Sequence, residues 1–232
     1  MAIAVIRFPG TNNEKDVMRV LASIPGGDPY LVPNYDGPGP LARADGVFIP
    51  GGFSYGDYLR AGAVASVEAI IDGVVEIAKA GKPVIGICNG FQILAEAGLL
   101  PGVLLPNKSA RFVCKWINLR TCETKSIYTE GLDSAILRIP IAHAEGNYYC
   151  SEEDLHMLKG EGRVSFRYCN SEGEPTQEVN PNGSLDNIAG IVNERGNVLG
   201  MMPHPERASR AILGSTDGLA ILENFVRATK AP

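Results

Sequence analysis

Short apolar runs alternate with helical patterns through the first hundred residues. AIAVIRF (2–8) is a run of strand formers, and NEKDVMRVLASI (13–24) repeats its apolar positions at helical spacing. ADGVFIPGG (44–52) reads as a strand running into a glycine loop. GAVASVEAIIDGVVEIAKAG (62–81) predicts a long helix with a stop at Gly81. PVIGI (83–87) is a further strand, followed by a helix from about Gly90. Strand–helix–strand alternation implies parallel pairing, with ligands bound at the carboxyl ends of the strands.

The pattern changes after Pro106. RFVCKWINLRTCET (111–124) and GRVSFRYCN (162–170) alternate apolar and polar, as strands with two different faces do. NIAGIVNERGNVLGMMPHPE (187–206) reads as two strands joined by a turn at Glu194–Asn197. TDGLAILENFVRATK (216–230) predicts a closing helix capped by Ser215 or Thr216. NSEGEPTQEVNPNGS (170–184) is a polar loop, but strand-like sequence continues on both sides of it. The expected fold is α/β: an open, mostly parallel sheet with flanking helices and additional antiparallel strands in the C-terminal half. Residues 1–232 are read as a single domain.

Composition narrows the function. Hydrophobic residues make up 45% of the 232, enough for a sizeable core. The net charge of −5 argues against a nucleic-acid footprint. No apolar run approaches the ~20 residues of a membrane span. The N-terminal run has no basic residues ahead of it, so a signal peptide is not expected and a cytoplasmic location is. The five cysteines, Cys88, Cys114, Cys122, Cys150 and Cys169, show no CxxC spacing. Neither a zinc site nor a full disulfide framework is expected from them. No nucleotide-binding glycine motif is present, so no cofactor site is expected in this chain.

One of those cysteines stands where strand turns into helix. Gly86-Ile87-Cys88-Asn89-Gly90 has the pattern of a nucleophile elbow, a strained turn that should leave the reactive side chain exposed. Side chains two residues to either side would collide in so tight a turn, hence the glycines. The helix that follows aims its N-terminus at the sulfur, and the N–H of Asn89 is placed to stabilise an oxyanion. Gly51 and Gly52 end an earlier strand, and an N–H of one of them is available to complete that hole.

A cysteine nucleophile needs a base, and the chain has three histidines. His156 lies among solvated helical residues. His143 competes for the role. His204 is followed by Pro205 and Glu206, and in an extended segment residues two apart face the same side. Glu206 is therefore positioned to orient His204, as the acid orients the base in other triads.

Five stretches, FPGTNNEKD, PGGFSYGDYLRAGA, GICNGFQIL, HAEGNYY and PHPER, carry a family resemblance from Arg7 to about Arg207. Their order resembles the class I, triad-type glutamine amidotransferases. The resemblance implies Cys88 as nucleophile, His204 as base and then acid, and Glu206 as the orienting carboxylate. It implies Gly52 and Asn89 as oxyanion donors, Gln92 as a glutamine contact and Gly146 as substrate-binding backbone. It also implies an ATP-dependent synthetase subunit, using ATP and Mg²⁺, as the acceptor of ammonia, and a small accessory subunit in the same assembly. Tyr55, Tyr58 and Arg60 are residue types enriched at interfaces. Two other readings compete: a cysteine hydrolase of another class on a similar fold, and a non-catalytic scaffold subunit. Many elbow-cysteine relatives place histidine directly after the nucleophile, where this chain has Asn89. The intact Cys88, His204 and Glu206 count against a scaffold.

Overall fold

A computed structural model describes residues 1–124, 126–132 and 135–230. β1 (Ala2–Arg7) leads into α1 (Glu14–Ser23), β2 (Asp28–Pro33), β3 (Gly46–Ile49) and α2 (Ala69–Lys79). β4 (Val84–Ile87), α3 (Asn89–Glu96) and the short β5 (Val103–Leu105) follow. Next come β6 (Val113–Thr121), β7 (Ile136–His143), β8 (Asn147–Tyr149) and α4 (Glu152–Gly160). β9 (Val164–Cys169), β10 (Ile188–Val192), β11 (Val198–Met201) and α5 (Leu219–Ala228) complete the chain.

Among the described residues nine strands form one sheet, in the order β2-β1-β3-β4-β11-β10-β9-β6-β7. The five from β2 to β11 run parallel. The pairings from β11 to β7 are antiparallel. β5 and β8 pair separately. Every residue of β3, β4, β10 and β11 is buried, which is why these strands read as unbroken apolar runs instead of alternating ones. Helices supply the cover: α3 packs on β4 and β11, and Phe225 of α5 meets Phe48 of β3 edge-on.

Four strands escape the sequence reading. β2 and β7 each contain proline, at Pro29, Pro33 and Pro140, and each is an edge strand of the sheet, where a missing N–H is tolerated. β5 and β8 are three residues long, too short to show a period. The helix expected over 62–81 begins only at Ala69, because Glu68 is extended (ψ 143°) and residues 65–67 form a separate 3₁₀ turn. Gly81, at φ +81°, does end it. The expected cap of the last helix also needs correcting. Neither Ser215 nor Thr216 caps α5: Gly218 takes that position, and the Ser215 hydroxyl accepts from the N–H of Asp217. A Cβ on Gly218 would lie 2.3 Å from the Pro205 carbonyl, so its missing side chain lets α5 sit against the turn that carries Glu206.

The sheet order sets up the site. β1, β3, β4 and β11 are adjacent and parallel, so the segments that leave them emerge at one edge. Those segments begin at Phe8, Pro50, Cys88 and Met202. Each stretch with candidate chemistry from these strands is thereby delivered to the same place.

Candidate active site

Cys88 sits at φ 53° and ψ −105°, a strained conformation for a residue with a side chain. Its N–H donates to the Met201 carbonyl at 2.8 Å, tying the elbow to β11. The flanking glycines are sterically required. A Cβ on Gly90 would lie 2.0 Å from the Ile49 carbonyl oxygen, and one on Gly86 would lie 2.5 Å from that of Gly90. The side chain, expected to be exposed, is only 5% so. β7, unseen in the sequence, forms a wall beside it, and the thiol points at the Ala142 carbonyl 3.7 Å away. Phe53 and Phe112, each about half exposed, have ring centroids 6.3 Å apart at the rim. What remains is a cavity of about 100 Å³ shared by Cys88, Gly52, Phe53, Phe112, Ala142 and His204.

His204 and Glu206 meet as expected, but by a different local structure. Pro205–Arg207 is a 3₁₀ turn, not an extended segment. Proline's fixed φ suits the first position of such a turn, and the Arg207 N–H closes it onto the His204 carbonyl at 3.2 Å. The result is a bond of 2.6 Å between His204 Nδ1 and Glu206 Oε1, with both residues 2% exposed. His204 Nε2 is buried without a hydrogen-bond partner. Burial alone would drive the proton off His204 and onto Glu206. The pair reverses both tendencies. The Glu206 carboxylate, with the Cys88 sulfur adding to it, raises His204 to about 10. His204 in turn holds Glu206 below its ordinary 4.5.

The oxyanion candidates lie on two sides of the sulfur. Asn89 is the first residue of α3, so its N–H has no partner within the helix. Gly52 lines the cavity. Its loop is bridged to the loop after β1: Phe53 N–H donates to the Gly10 carbonyl at 2.9 Å, and Asn12 N–H to that of Gly51 at 3.2 Å. Both bonds leave the Gly52 N–H unused. The Asn89 side chain binds the same loop, accepting from Ser54 N–H at 3.0 Å and donating to Gln92 Oε1 at 2.9 Å. Gln92 then donates to the Glu145 carbonyl at 2.6 Å. Gly146 is not brought to the cavity. Its N–H donates to Asn107, and its carbonyl accepts from Asn182 and Ser184, so its polar backbone groups are already engaged.

The other histidines separate clearly. His156 is exposed on α4. His143 is buried on β7, with Nδ1 bonded to Asn107 Oδ1 at 3.1 Å. Burial first, and then His204, lowers it from 6.5 to about 4. A ring so reluctant to take a proton is a poor base at neutral pH. The same shift has a consequence for stability. The folded chain keeps His143 neutral while the unfolded chain protonates it below 6.5, so its contribution is present above that pH and is lost as pH falls toward about 4. Stability to denaturant between pH 7 and 4.5 should therefore fall less in His143→Gln, by roughly 2 kcal/mol. Equal acid sensitivity in both proteins would show that His143 titrates normally.

Two site residues carry no signal of their own in the sequence. Asn13, 1% exposed, donates from Nδ2 to Glu206 Oε1 at 2.9 Å, and Arg207 donates to its Oδ1 at 2.8 Å. Both lie in stretches already noted, FPGTNNEKD and PHPER, but their contact joins residues 194 apart. Of the proposed interface residues, Tyr58 projects freely. Tyr55 is used internally, its hydroxyl donating to Glu68, and Arg60 pairs with Glu96.

An elbow cysteine, a His–Glu pair in the same cavity and a glycine loop at its side define a glutamine amidotransferase. The chain belongs to that family: the CobB/CobQ-like glutamine amidotransferase domain matches residues 1–218. Within it, the chain is 53% identical to the phosphoribosylformylglycinamidine synthase subunit PurQ of Aquifex aeolicus, over 95% of this chain and 97% of that one. It is 51% identical to the subunit of the same name from Thermomicrobium roseum, over 97% and 95% of the two chains. A chain in the solved structure of PurLQS from Thermotoga maritima is 38% identical, with a TM-score of 0.83 over 97% of each chain. The five sequence stretches resemble the glutamine-hydrolysing subunit of the same synthase, so the motifs and the full-length comparisons agree.

Proposed function

We propose that this chain hydrolyses glutamine to glutamate and ammonia. The ammonia passes to an ATP-dependent synthetase subunit that converts formylglycinamide ribonucleotide to formylglycinamidine ribonucleotide in purine synthesis. The observation that carries the chemistry is one cavity holding an elbow cysteine and a histidine paired with a buried carboxylate at 2.6 Å. The full-length similarity to PurQ subunits carries the substrate and the pathway.

The residues divide the work as follows. The Cys88 sulfur, its proton passed to Nε2 of His204, attacks the side-chain amide carbon of glutamine. A C–S bond forms, and the carbonyl oxygen becomes an anion held by the N–H groups of Asn89 and Gly52. The C–N bond breaks as Nε2 returns the proton to the departing nitrogen, which leaves as ammonia. Water, deprotonated by the same imidazole, attacks the thioester. The C–S bond breaks and glutamate departs. Glu206 keeps Nδ1–H pointed at itself, so that Nε2 is the nitrogen that takes the Cys88 proton and later gives it up. Gln92, one helical turn beyond Cys88, does not line the cavity: its amide accepts from Asn89 and donates to the Glu145 carbonyl, so it supports the site from behind unless glutamine displaces one of these bonds.

None of these steps calls for a metal or cofactor in this chain; ATP and Mg²⁺ belong to the synthetase, and a small accessory subunit completes the assembly. Residues 1–232 act as one domain. Among the described residues no helix is long and apolar enough to cross a membrane. We place the enzyme in the cytoplasm, where purine precursors are built.

Released ammonia is protonated in water and loses its nucleophilicity, so hydrolysis is useful only when the synthetase is loaded. The glycine loop at Gly51 and Gly52 is the part that adjusts at low cost. Glutamate release is the test, from this chain alone and then with the synthetase, its ribonucleotide and ATP. The isolated chain should be slow and the complex faster. A full, partner-independent rate would refute the coupling, and no glutamate release even from the complete assembly would refute the function.

A further inference from the structure

We infer that Asn13, anchored by Arg207, is a positioning residue that seats Glu206 and, through that carboxylate, orients His204. This rests on the glutaminase reading above and adds to the triad a residue from the loop after β1.

The orientation of the Asn13 amide follows from its neighbours. Arg207 has only N–H groups to offer, so the atom 2.8 Å from its Nη2 must be the oxygen. The NH₂ group then faces the pair, 2.9 Å from Glu206 Oε1 and 2.8 Å from His204 Nδ1. A flipped amide would set donors against a guanidinium and an acceptor against a carboxylate. The NH₂ donates to Oε1 and so seats an ionised carboxylate, and it is this carboxylate, 2.6 Å from Nδ1, that accepts the ring hydrogen. The two nitrogens converge on one carboxylate oxygen. This arrangement holds hydrogen on Nδ1 and leaves Nε2, which lacks a partner, open on the Cys88 side.

The backbone around Asn13 links this arrangement to the oxyanion loop. The N–H groups of Asn12 and Asn13 both donate to the Gly51 carbonyl, at 3.2 and 3.3 Å. Gly51 immediately precedes the proposed oxyanion donor Gly52. One segment therefore holds the base from behind and the oxyanion loop from the side. A shift of that loop is transmitted to the Asn13 amide, so the two halves of the machinery are set together.

The test uses Asn13→Ala and the isosteric Asn13→Asp in the full chain assembled with its synthetase. Asn13→Ala removes the donor to Glu206 and Asn13→Asp replaces it with a second carboxylate, so in both the negative charge acting on His204 grows and the ring binds its proton more tightly. The expected result is a kcat for glutamine hydrolysis lower by about ten- to hundredfold, the worth of one hydrogen bond to a charged group. KM should stay within about twofold, since Asn13 acts through His204 and Glu206. The limb of the pH–rate profile that belongs to His204 should move to higher pH. Ammonia-dependent synthesis should survive, showing that the subunit still folds and docks. If Asn13→Ala fails to melt cooperatively, Asn13→Asp carries the test, because it preserves size. An unchanged kcat and pH profile would overturn the inference, as would a raised KM at unchanged kcat. If the unaltered chain releases no glutamate, the glutaminase reading itself fails. If it does and the variants match it, only the role of Asn13 fails.

Discussion

Cys88→Ala is expected to abolish glutamine-dependent synthesis while leaving ammonia-dependent synthesis by the assembled enzyme intact. In the proposed mechanism the sulfur forms the bond to the substrate carbon, so without it the oxyanion donors and the histidine have nothing to act with. Ammonia supplied in solution bypasses the step. The fold should survive, since the change removes one small buried atom, worth about 1 kcal/mol. The strained φ of 53° at the elbow is retained by any replacement residue, so nothing is gained by relaxing it. Cys88→Ser should be as inactive, because a hydroxyl is a far weaker nucleophile without a base matched to it. Parallel assays with glutamine and with ammonium salt check both halves. Appreciable glutamine hydrolysis by Cys88→Ala would remove the nucleophile from the account.

His204→Ala should come next in severity, with hydrolysis falling on the order of 10⁴-fold or more, as when a base is deleted from a triad that acts as a unit. Glu206→Gln should cost one to two orders of magnitude less, because Glu206 orients and charges the ring without touching the substrate. The pH behaviour distinguishes them further. Glu206 is the chief group raising His204, so Glu206→Gln lowers the affinity of the ring for its proton and moves the His204 limb to lower pH. Removal of Asn13 is expected to move it the other way. Steady-state rates across pH for the two variants and for His143→Gln would settle the assignment. Hydrolysis lost in His143→Gln and retained in His204→Ala would mean that the wrong histidine had been chosen.

The strands that build the site were legible because they are buried on both sides. Gly46–Ile49 and Val84–Ile87 are continuous apolar runs bounded by glycine or proline, and each ends in the residues that do chemistry. The elbow is legible for a steric reason, since Gly90 faces the Ile49 carbonyl and tolerates no side chain. β7 was not. Pro140 interrupts its pattern, and only its place at the edge of the sheet makes proline acceptable there. Missing β7 had a further effect. Cys88 was expected to be exposed, and it is the Ala142 wall from that strand, with Phe53 and Phe112, that encloses it.

Other features depend on distant partners and leave no local trace. His-Pro-Glu suggests an extended segment, and His204 still pairs with Glu206 because a 3₁₀ turn also brings these two side chains together. The helix start at Ala69 is set by Glu68, an extended residue inside an otherwise helical pattern. Asn13 reads in the sequence as a residue near the start of a helix. Its contacts with Arg207 and Glu206 exist only because β1 and β11 deliver their following segments to one edge of the sheet.

If Cys88 is the nucleophile of a glutamine-hydrolysing site, it can be trapped covalently by a substrate-like electrophile. The chain, assembled with its synthetase, is treated with a glutamine analogue that carries an electrophile at the side-chain carbonyl, and the adduct is located by peptide mass. Cys114 is exposed and serves as an internal control for indiscriminate thiol chemistry. A single adduct on Cys88, slowed by excess glutamine and absent in Cys88→Ala, is expected. An adduct on Cys114 instead, or labelling of Cys88 that glutamine does not slow, would contradict this role for Cys88.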